Sequence, residues 1–360
     1  QEIQSPSRID EIVVTAEFND IDAYNISSSI SVISGNDISK RNANHLEDLL
    51  FITPNVNYSS GASRGKFYQI RGIGERSEFT EPVNYSVGVI IDGIDFTGIA
   101  LGASTFDVKQ VEILRGPQGT LYGANALAGL INIVSNDPTE DFYSEISGSI
   151  SEFGGKDFGI IISNSNENNF GYRLGFKNSK SDGFVKNVFL NRNDTNDIDE
   201  TISRAKFTKN NDTTKLTLNI FYADIDNGYD AFSLDNNRNT YSDEPGYDRQ
   251  KTTAASTIFK KTLRNNNTIE ILASFSDSEL GYAYDEDWSN TGICEKTPCD
   301  STLFGFDWWY SSFDSFNRDN TNHSIDLRYI SNSENVNWVV GLYNRDQDIN
   351  LIRKYTYLLN

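Results

Sequence analysis

The stretch VEILRGPQGTLYGANALAGLINI, residues 111–133, decides how the first part of this chain folds. It begins with the apolar run Val111–Leu114 and ends with a second run, Leu130–Ile133. Between and beside these runs lie glycines that permit tight backbone turns, namely Gly116, Gly119, Gly123 and Gly129. No Gly-Lys-Ser/Thr follows them, so the segment is not a phosphate-binding loop. The stretch therefore predicts two strands joined by a glycine-rich connection.

The residues before this stretch mix helix and strand signals. Asn36 and Asp37 precede Ile38, and apolar residues follow at Leu46, Leu49 and Leu50, which predicts one capped helix ending before Pro54. Short apolar runs at 68–70 and 87–91 predict further strands. We therefore expect a small α+β domain that extends to about residue 138.

From about residue 143 the pattern changes to repeated alternation of apolar and polar residues, which is typical of strands. The clearest runs are Leu216–Tyr222, Ile269–Phe275, His323–Tyr329 and Val336–Leu342. A tilted strand that crosses a membrane needs about 10 residues of this kind. The pattern predicts about ten antiparallel transmembrane strands, with the last near residues 351–358.

The connections between these strands are sorted by length. Short Asn-rich turns lie at 165–168, 210–212, 265–267 and 331–335, and long polar stretches lie around 180–200, 225–248 and 280–320. Short turns on one side and long loops on the other are typical of outer-membrane β-barrels. A soluble β-sandwich has no reason to sort its loops in this way.

Composition narrows the function classes. The chain has 360 residues, with 31 Lys+Arg against 51 Asp+Glu and a formal net charge of −20, which argues against a nucleic-acid partner. The sequence contains no run of about 20 apolar residues, so it predicts no transmembrane helix. The chain contains no Met and begins at Gln1, which suggests a processed, exported protein, although an arbitrary start would look the same.

Cysteine and histidine are scarce. Cys294 and Cys299 are the only cysteines, and their spacing fits neither a Cys-x-x-Cys redox site nor half of a zinc site. A small disulfide loop in an oxidising compartment fits better, and two unpaired thiols are the alternative. His45 and His323 are expected to be packing or surface residues. We therefore expect no enzyme, no metal centre and no cofactor.

The order of the motifs resembles one family. The segments 32–34, 46–56, 70–74, 89–94 and 111–133 are similar, in order and spacing, to the plug domain of TonB-dependent outer-membrane receptors. A short β-prone segment near the N-terminus resembles the TonB box, which adds as a strand to the edge of a partner's sheet. Its residues are Asp10, Glu11, Ile12, Val13, Val14, Thr15 and Ala16. Asn55 and Ala124 depart from residues that are common in the family.

The resemblance implies three regions. Residues 1–20 would be a periplasmic extension with the TonB box, residues 21–140 a plug domain, and residues 141–360 part of an outer-membrane β-barrel. Plugged transporters of this kind have about 22 strands, and an open sheet of ten would leave unpaired edges in lipid. We therefore expect the sequence to be an N-terminal fragment of a longer receptor.

The resemblance also implies a function. A scarce ligand would bind from outside, the box would become available to TonB, and energy passed through ExbB and ExbD would displace part of the plug. The protein would lie in the outer membrane of a Gram-negative bacterium, surrounded by lipid. Ferric siderophores or other iron complexes are the commonest cargo, so they are the first expectation.

Other cargoes and other classes remain open at this stage. The outer loops are acidic and aromatic, which disfavours an anionic chelate and suits sugars, so oligosaccharide uptake is the first alternative and a cobalamin-type vitamin the second. A secreted β-rich carbohydrate-binding adhesin is the alternative from another class. Asp224, Asp226 and Asp230 are acids of the kind that bind calcium, but the placement of Gly around them fits no EF-hand loop. We therefore expect them to be solvated.

The resemblance suggests two sets of residues. Plug loops and outer loops supply ligand-binding candidates, each of which would otherwise be a solvated charge or an interface aromatic: Arg64, Lys66, Arg76, Tyr85, Phe96, Trp288, Trp308, Trp309 and Tyr310. A second set is expected to have a structural role in the plug, with the arginines pairing with barrel acids: Arg71, Gly72, Arg115, Gly116, Gly119 and Gly123.

Overall fold

A computed structural model of the chain describes residues 13–14, 21–22, 29–59, 61–77, 85–119, 125–234, 236–264, 266–293, 310–332 and 336–359. Within these ranges, the first region contains nine strands and two short helices. The strands are β1 (Val13–Val14), β2 (Ile21–Asp22), β3 (Ser29–Ser34), β4 (Val56–Ser59), β5 (Phe67–Ile70), β6 (Val87–Ile91), β7 (Ile94–Asp95), β8 (Val108–Arg115) and β9 (Gly129–Ser135). The helices are α1 (Gly35–Lys40) and α2 (Glu47–Leu50), and a 3-10 turn covers Ala100–Gly102.

Five of these strands form the plug sheet, in the order β3-β8-β9-β6-β7. All neighbours are antiparallel except β6 and β9, which are parallel. Strand β3 is therefore an edge strand, paired only with β8. The apolar runs of the sheet form a buried core against α2, in which Leu49, Ile70, Ile91 and Ile113 are 0–1% exposed.

The stretch 111–133 folds as predicted where it is described. Strands β8 and β9 pair antiparallel, with Val111 opposite Ile133. Gly129 is required by packing, because a Cβ there would lie 2.4 Å from the Leu114 carbonyl oxygen. Gly116 has a φ of 119°, which an L side chain rarely adopts. Gly123 lies outside the described residues.

The single helix predicted over residues 37–53 is wrong, since two short helices are present. Ser34 caps α1, because its Oγ accepts a hydrogen bond from the Asp37 amide at 3.2 Å. The chain then leaves the helix at Asn42, whose φ is 50°. Asp48, in the first turn of α2, accepts hydrogen bonds from the amides of Asn44 and His45, which holds the connection ahead of that helix. The left-handed residue Asn42 and this connection thus divide a pattern that looked continuous.

The second region contains a nine-stranded antiparallel sheet. Its strands are β10 (Tyr143–Ile150), β11 (Lys156–Ser165), β12 (Phe170–Ser181), β14 (Ile198–Asn210), β15 (Thr214–Tyr229), β17 (Gly246–Thr262), β18 (Thr268–Asp285), β19 (Tyr310–Asn332) and β20 (Asn337–Leu359). Two short strands in the long loops, β13 (Lys186–Asn187) and β16 (Asn239–Thr240), pair in parallel with each other.

The predicted strand number was about ten, and the described residues contain nine long strands. The runs at 336–342 and 351–358, taken as separate strands, belong to one 23-residue strand, β20. It pairs without a break with β19, from Asn332 opposite Asn337 to Tyr310 opposite Leu359. Strands therefore extend well beyond the length that crosses a membrane, and alternation alone did not reveal that continuity.

The side chains of β15 show how the sheet is oriented. Leu216, Leu218 and Ile220 point outward and are 36–41% exposed, whereas Thr217 and Asn219 point inward and are buried. Further along the strand the outward residues become acidic. The apolar band lies beside the short turns at 166–169 and 211–213, and the long connections begin at the opposite, outer ends of the strands, after Ser181, Tyr229 and Asp285.

No helix in the described ranges is long and apolar enough to cross a membrane.

Candidate functional site: the plug–barrel interface and the outer opening

A plug loop is bound to the barrel wall by two basic residues. Arg64 donates from Nε and Nη2 to the carboxylate of Glu200 on β14, at 2.8 and 3.1 Å, and from Nη1 to Glu47 of α2 at 3.4 Å. Lys66 donates from Nζ to Asp248 on β17 at 3.0 Å. The Lys66 and Asp248 side chains are 7% and 1% exposed. A two-pronged guanidinium–carboxylate pair fixes orientation as well as distance.

Neutral groups complete this contact. The amide and Oγ of Ser63 donate to Asp248 at 2.8 and 2.9 Å. Asn227 on β15 donates to Ser63 Oγ at 3.0 Å, and Tyr282 on β18 donates to the Gly61 carbonyl at 2.5 Å. Four barrel strands thus bind one plug loop. We call this contact the upper clamp; it comprises Gly61, Ser63, Arg64, Lys66, Glu200, Asn227, Asp248 and Tyr282.

A second set of ion pairs lies nearer the short turns, with the charges reversed. Arg173 on β12 contacts both carboxylate oxygens of Asp107, with the closest approach at 2.7 Å. Lys206 on β14 lies 3.5 Å from Asp92. We call this contact the lower belt; it comprises the barrel bases Arg173, Arg204, Lys206 and Arg345 and the plug acids Asp92, Asp95 and Asp107. Above it the plug supplies the bases and the barrel the acids.

Aromatic rings fill the space outside the upper clamp. Tyr229, Tyr282 and Phe316 are buried around Ala62 of the plug. Lys66 Nζ lies 4.9 Å from the centre of the Tyr282 ring. At the outer end Trp288, which is 42% exposed, stacks on Phe232 with 4.6 Å between ring centres. This arrangement presents a stacking surface to the outside.

Buried acids lie beside this aromatic surface. Asp285 and Asp287 lie within hydrogen-bonding reach of each other, and one carboxylate oxygen of each has no other hydrogen-bond partner in the described residues. Burial raises the pKa of both carboxyl groups, and their mutual repulsion adds to the rise for Asp285. No group of three or more His, Cys, Asp or Glu side chains within the described ranges is arranged to hold a metal ion.

The predicted ligand-binding residues are dispersed. Arg64 and Lys66 lie in the upper clamp, where barrel acids already bind them. Phe96 is fully buried against Phe221, with 5.0 Å between ring centres, so its position does not suit ligand contact. Tyr85 accepts a hydrogen bond from Arg318 at 3.2 Å. The ligand-binding role of these four residues stays a prediction, and the contacts that they make here disfavour it.

The outer candidates are only partly described. Trp288 is at the outer opening, and Tyr310 stacks on Tyr357 with 5.1 Å between ring centres. Arg76 is exposed. Trp308, Trp309, Cys294 and Cys299 lie outside the described residues. Sequence reasoning missed Tyr282, Glu200 and Asp248, although their inward positions on strands were readable once the register was known, and it missed Phe232 in the loop after β15.

The predicted structural arginines act within the plug. Arg115 donates to the Pro54 carbonyl at 3.0 Å and to Ser31 Oγ at 2.7 Å, and not to a barrel acid as expected. Arg71 is exposed, and it begins a turn with a φ of 54° that Gly72 continues at 80°. Gly119 is exposed with open space around it. Other residues of the plug make the ion pairs with the barrel, as described above.

The predicted TonB box is described only at Val13 and Val14, which pair with Ile21 and Asp22. Val14 is fully buried in a small cluster with Ile90, Leu114 and Leu130 on one face of the plug sheet. A segment that adds to a partner's sheet must expose its backbone and leave such a cluster. The remaining box residues lie outside the described ranges.

Comparisons with known proteins agree with this architecture. The profile of the TonB-dependent Receptor Plug Domain matches residues 22–130. The pesticin receptor of Yersinia pestis is 33% identical over 130 residues, which are 36% of this chain and 19% of the relative. The vitamin B12 transporter BtuB of Vibrio vulnificus is 30% identical over 149 residues, which are 41% of this chain and 23% of the relative.

Solved structures extend the likeness into the barrel. The ferric yersiniabactin uptake receptor FyuA from Yersinia pestis matches 91% of this chain and 50% of its own, with a TM-score of 0.74 and 19% identity. The siderophore receptor PiuA from Acinetobacter baumannii matches 90% of this chain and 46% of its own, with a TM-score of 0.70 and 17% identity.

These matches confirm the predicted fold class, an α+β plug followed by antiparallel barrel strands. The chain spans about half the length of the solved structures that it matches, and its alignments cover about a fifth of the curated relatives. Residues 22–130 match the TonB-dependent Receptor Plug Domain family, and the described residues have the fold of a plug and part of a β-barrel as in the solved structures.

Proposed function

We propose that this protein is an outer-membrane receptor that takes up a scarce ligand with energy supplied through TonB, ExbB and ExbD. The first candidate for this ligand is a ferric siderophore or another iron complex. The protein is not an enzyme in this proposal, and it lies in lipid at the surface of a Gram-negative bacterium. Its regions are the extension 1–20, the plug 21–140 and the barrel part 141–360.

The plug's attachment to the barrel is the observation that carries the proposal. The plug contacts strands β12, β14, β15, β17, β18, β19 and β20 through buried polar pairs. Removing one partner of a buried ion pair costs about 3–5 kcal/mol, so a plug held at several such points does not move aside spontaneously. A ligand would pass only when work is done on the plug, which is what coupling at residues 10–16 would supply.

The burial of Val14 supports a regulated coupling step. In this structure the box residue packs against Ile90 and Leu130, so its backbone is not free to pair with a partner strand. Binding of ligand at the outer opening would have to shift this equilibrium, and it would do so only by its different affinity for the two states.

The names of the similar proteins support an iron complex as cargo. FyuA is described as a ferric yersiniabactin uptake receptor and PiuA as a siderophore receptor. The match to BtuB favours a second candidate, a vitamin of the B12 type. The exposed Trp288–Phe232 stack suits a flat or ring-containing ligand of either kind.

Uptake measurements in a deletion strain test the proposal. Cells lacking the gene should fail to accumulate iron-55 from one of a panel of ferric siderophores, and the intact gene should restore accumulation. Cobalt-57 cyanocobalamin, given to the same strains, tests the second candidate. A variant without residues 10–16 should bind the labelled ligand and not accumulate it. Unchanged accumulation of every probe in the deletion strain would contradict the proposal.

A further inference from the structure

Two long outer connections are joined to each other at a distance from the plug. The first connection covers residues 182–197, after β12, and the second begins at Asp230, after β15. Their short strands β13 and β16 pair in parallel. The Lys186 amide donates to the Arg238 carbonyl at 2.8 Å. Backbone hydrogen bonds thus connect two segments that are far apart in sequence.

A single buried carboxylate completes this junction. Asp230 Oδ2 accepts a hydrogen bond from Asn187 Nδ2 at 2.9 Å. The same oxygen accepts from Oγ1 of Thr195 and of Thr240, at 2.8 Å each. The sequence predicted a solvated acid at Asp230, which is wrong, because Asp230 is 6% exposed. Hydrogen bonds to a charged acceptor are about twice as strong as neutral ones, so Asp230 is the main polar contact between the two connections.

The residues beside Asp230 contribute to the aromatic surface at the outer opening. Tyr229 is buried, with 5.5 Å between its ring centre and that of Tyr282 in the upper clamp. Phe232 stacks on Trp288 with 4.6 Å between ring centres and 9° between ring planes. The carboxylate that joins the two connections therefore also fixes the short segment that carries two of these rings.

Two further hydrogen bonds join the second connection to the segment that carries Trp288. Asn290 Nδ2 donates to the Tyr241 carbonyl at 2.9 Å, and the Asp243 amide donates to the Ser289 carbonyl at 3.0 Å. Asn290 and Ser289 are both buried, so water does not compete for these bonds. The second connection is therefore held from both sides.

Trp288 has a backbone conformation that needs support from its surroundings. Its φ is 58°, in the left-handed region that bulky residues rarely adopt. Its amide donates to Asp285 at 3.1 Å, and its ring packs flat on Phe232. Strained residues persist where the surrounding structure fixes them, and they cluster at functional sites. The strain at Trp288 indicates that its ring is placed in advance.

We infer that Asp230 is a positioning residue of the outer opening. Its carboxylate joins the two connections and holds the Phe232 ring where Trp288 stacks on it, so the aromatic surface is complete before a ligand arrives. Because Asp230 is buried, it acts through these rings and does not touch the ligand. A surface formed in advance avoids the entropy cost of ordering loops when a ligand binds.

Fluorine NMR of the ligand-free receptor tests the position of Trp288. The full-length protein is labelled with 5-fluorotryptophan in lipid nanodiscs, and the Trp288 resonance is assigned by its loss in Trp288→Phe. Phe232→Ala gives the resonance position of the unstacked ring. Asp230→Ala should move the resonance most of the way to that position. Asp226→Ala, which removes an exposed acid of the same strand, should leave it in place. An unmoved resonance in Asp230→Ala would overturn the inference.

Amide hydrogen exchange tests whether the junction depends on Asp230. In Asp230→Ala the amides of Lys186 and Val188, which bond across the junction, should exchange about tenfold faster or more, because hydrogen bonds to a charged group are lost. The amides of β15 near the short turns should exchange as in the parent protein. Loss of protection throughout β15 would mean that Asp230 supports the barrel as a whole, and would contradict the positioning role.

A disulfide separates the joining of the two connections from any other role of Asp230. Lys186 and Asn239 are register partners in β13 and β16. In the Asp230→Ala background, the oxidised pair Lys186→Cys with Asn239→Cys should return the Trp288 resonance to its parent position, and reduction should displace it again. The parent protein, oxidised in the same way, controls for Cys294 and Cys299. A resonance that stays displaced in the oxidised protein would count against the inference.

Uptake adds a functional measurement, and only this measurement rests on the proposed function. For an iron-55 siderophore that the intact gene accumulates, Asp230→Ala should raise the half-saturating concentration about tenfold, the cost of ordering a few side chains. The maximal rate should stay unchanged, since Asp230 acts on the binding surface and not on the coupling step. A lowered maximal rate with unchanged half-saturation would overturn the inference. If no probe is accumulated, the uptake proposal fails, and the Trp288 resonance still decides the role of Asp230.

Discussion

The plug and the barrel wall bury opposite kinds of residue. The plug has an apolar interior, in which Ile70, Ile91 and Leu114 are fully buried. The barrel turns its apolar residues outward, as at Leu218, and lines its interior with charged and amide side chains such as Arg204 and Asn219. The plug therefore folds as a water-soluble domain does, whereas the wall relies on lipid outside and on the plug inside to satisfy its two faces.

The largest test of this difference is a charge in the plug core. Leu114→Asp should destabilise the plug by more than about 4 kcal/mol, because it creates a cavity and buries an unpaired carboxylate. Protease resistance of residues 29–135 in the membrane-inserted protein would report the loss. Leu127→Asp is the matched control from the same stretch, since Leu127 is 70% exposed. Equal resistance of the two variants would contradict the assignment of the core.

The second test addresses the polar interior of the wall. Arg173→Ala leaves the Asp107 carboxylate, whose side chain is 4% exposed, without its partner, and loss of one member of a buried pair costs about 3–5 kcal/mol. Thermal release of the plug should occur at a lower temperature. Lys180→Ala on the same strand removes an exposed pair with Asp199 and should leave the release temperature almost unchanged. If both variants behaved alike, the lower belt would not bind the plug.

The third test addresses the lipid face. Leu218→Arg places a charge in the apolar band and should cost about 2–4 kcal/mol in the folding of the barrel into a bilayer. Asp224→Arg, six residues further along the same strand, points outward beyond the band and should change the folding free energy by less than about 1 kcal/mol. Equal costs would show that the band has been placed at the wrong height. Urea titration of the full-length protein in lipid vesicles measures both.

Much of this contrast was readable from the sequence, because each region follows one period. Alternation over residues 216–222 placed Leu218 and Thr217 on opposite faces, and the two apolar runs of 111–133 placed β8 and β9. The helix around residues 37–50 was misread, since the chain leaves α1 at Asn42, whose φ is 50°, and apolar spacing does not reveal such a break. Individual ion pairs such as Arg64 with Glu200 were not readable, because they join residues 136 apart and depend on the register of the plug within the wall.

The smallest expected effect lies at the outer opening, where water reaches both regions. Because burial raises the pKa of Asp285 and Asp287, the arrangement in which both carboxyl groups are buried binds protons more tightly than one in which water reaches them. Proton binding stabilises this buried arrangement fully below the ordinary carboxyl pKa of 3.8, and the stabilisation is lost as the pH rises through the raised pKa values. Repulsion from Asp243 also raises the pKa of Asp285.

Trp288 reports on this titration, because its amide donates to Asp285 at 3.1 Å and its ring stacks on Phe232. We expect its fluorescence to change as the pH is raised from 4, and the outer segment 286–293 to exchange amide hydrogens faster than the intrinsic pH dependence explains. Asp285→Asn, which cannot ionise, should abolish the change, whereas Asp277→Asn on the exposed face of β18 should preserve it. A titration that survives in Asp285→Asn would mean that the outer segment responds to other titratable groups.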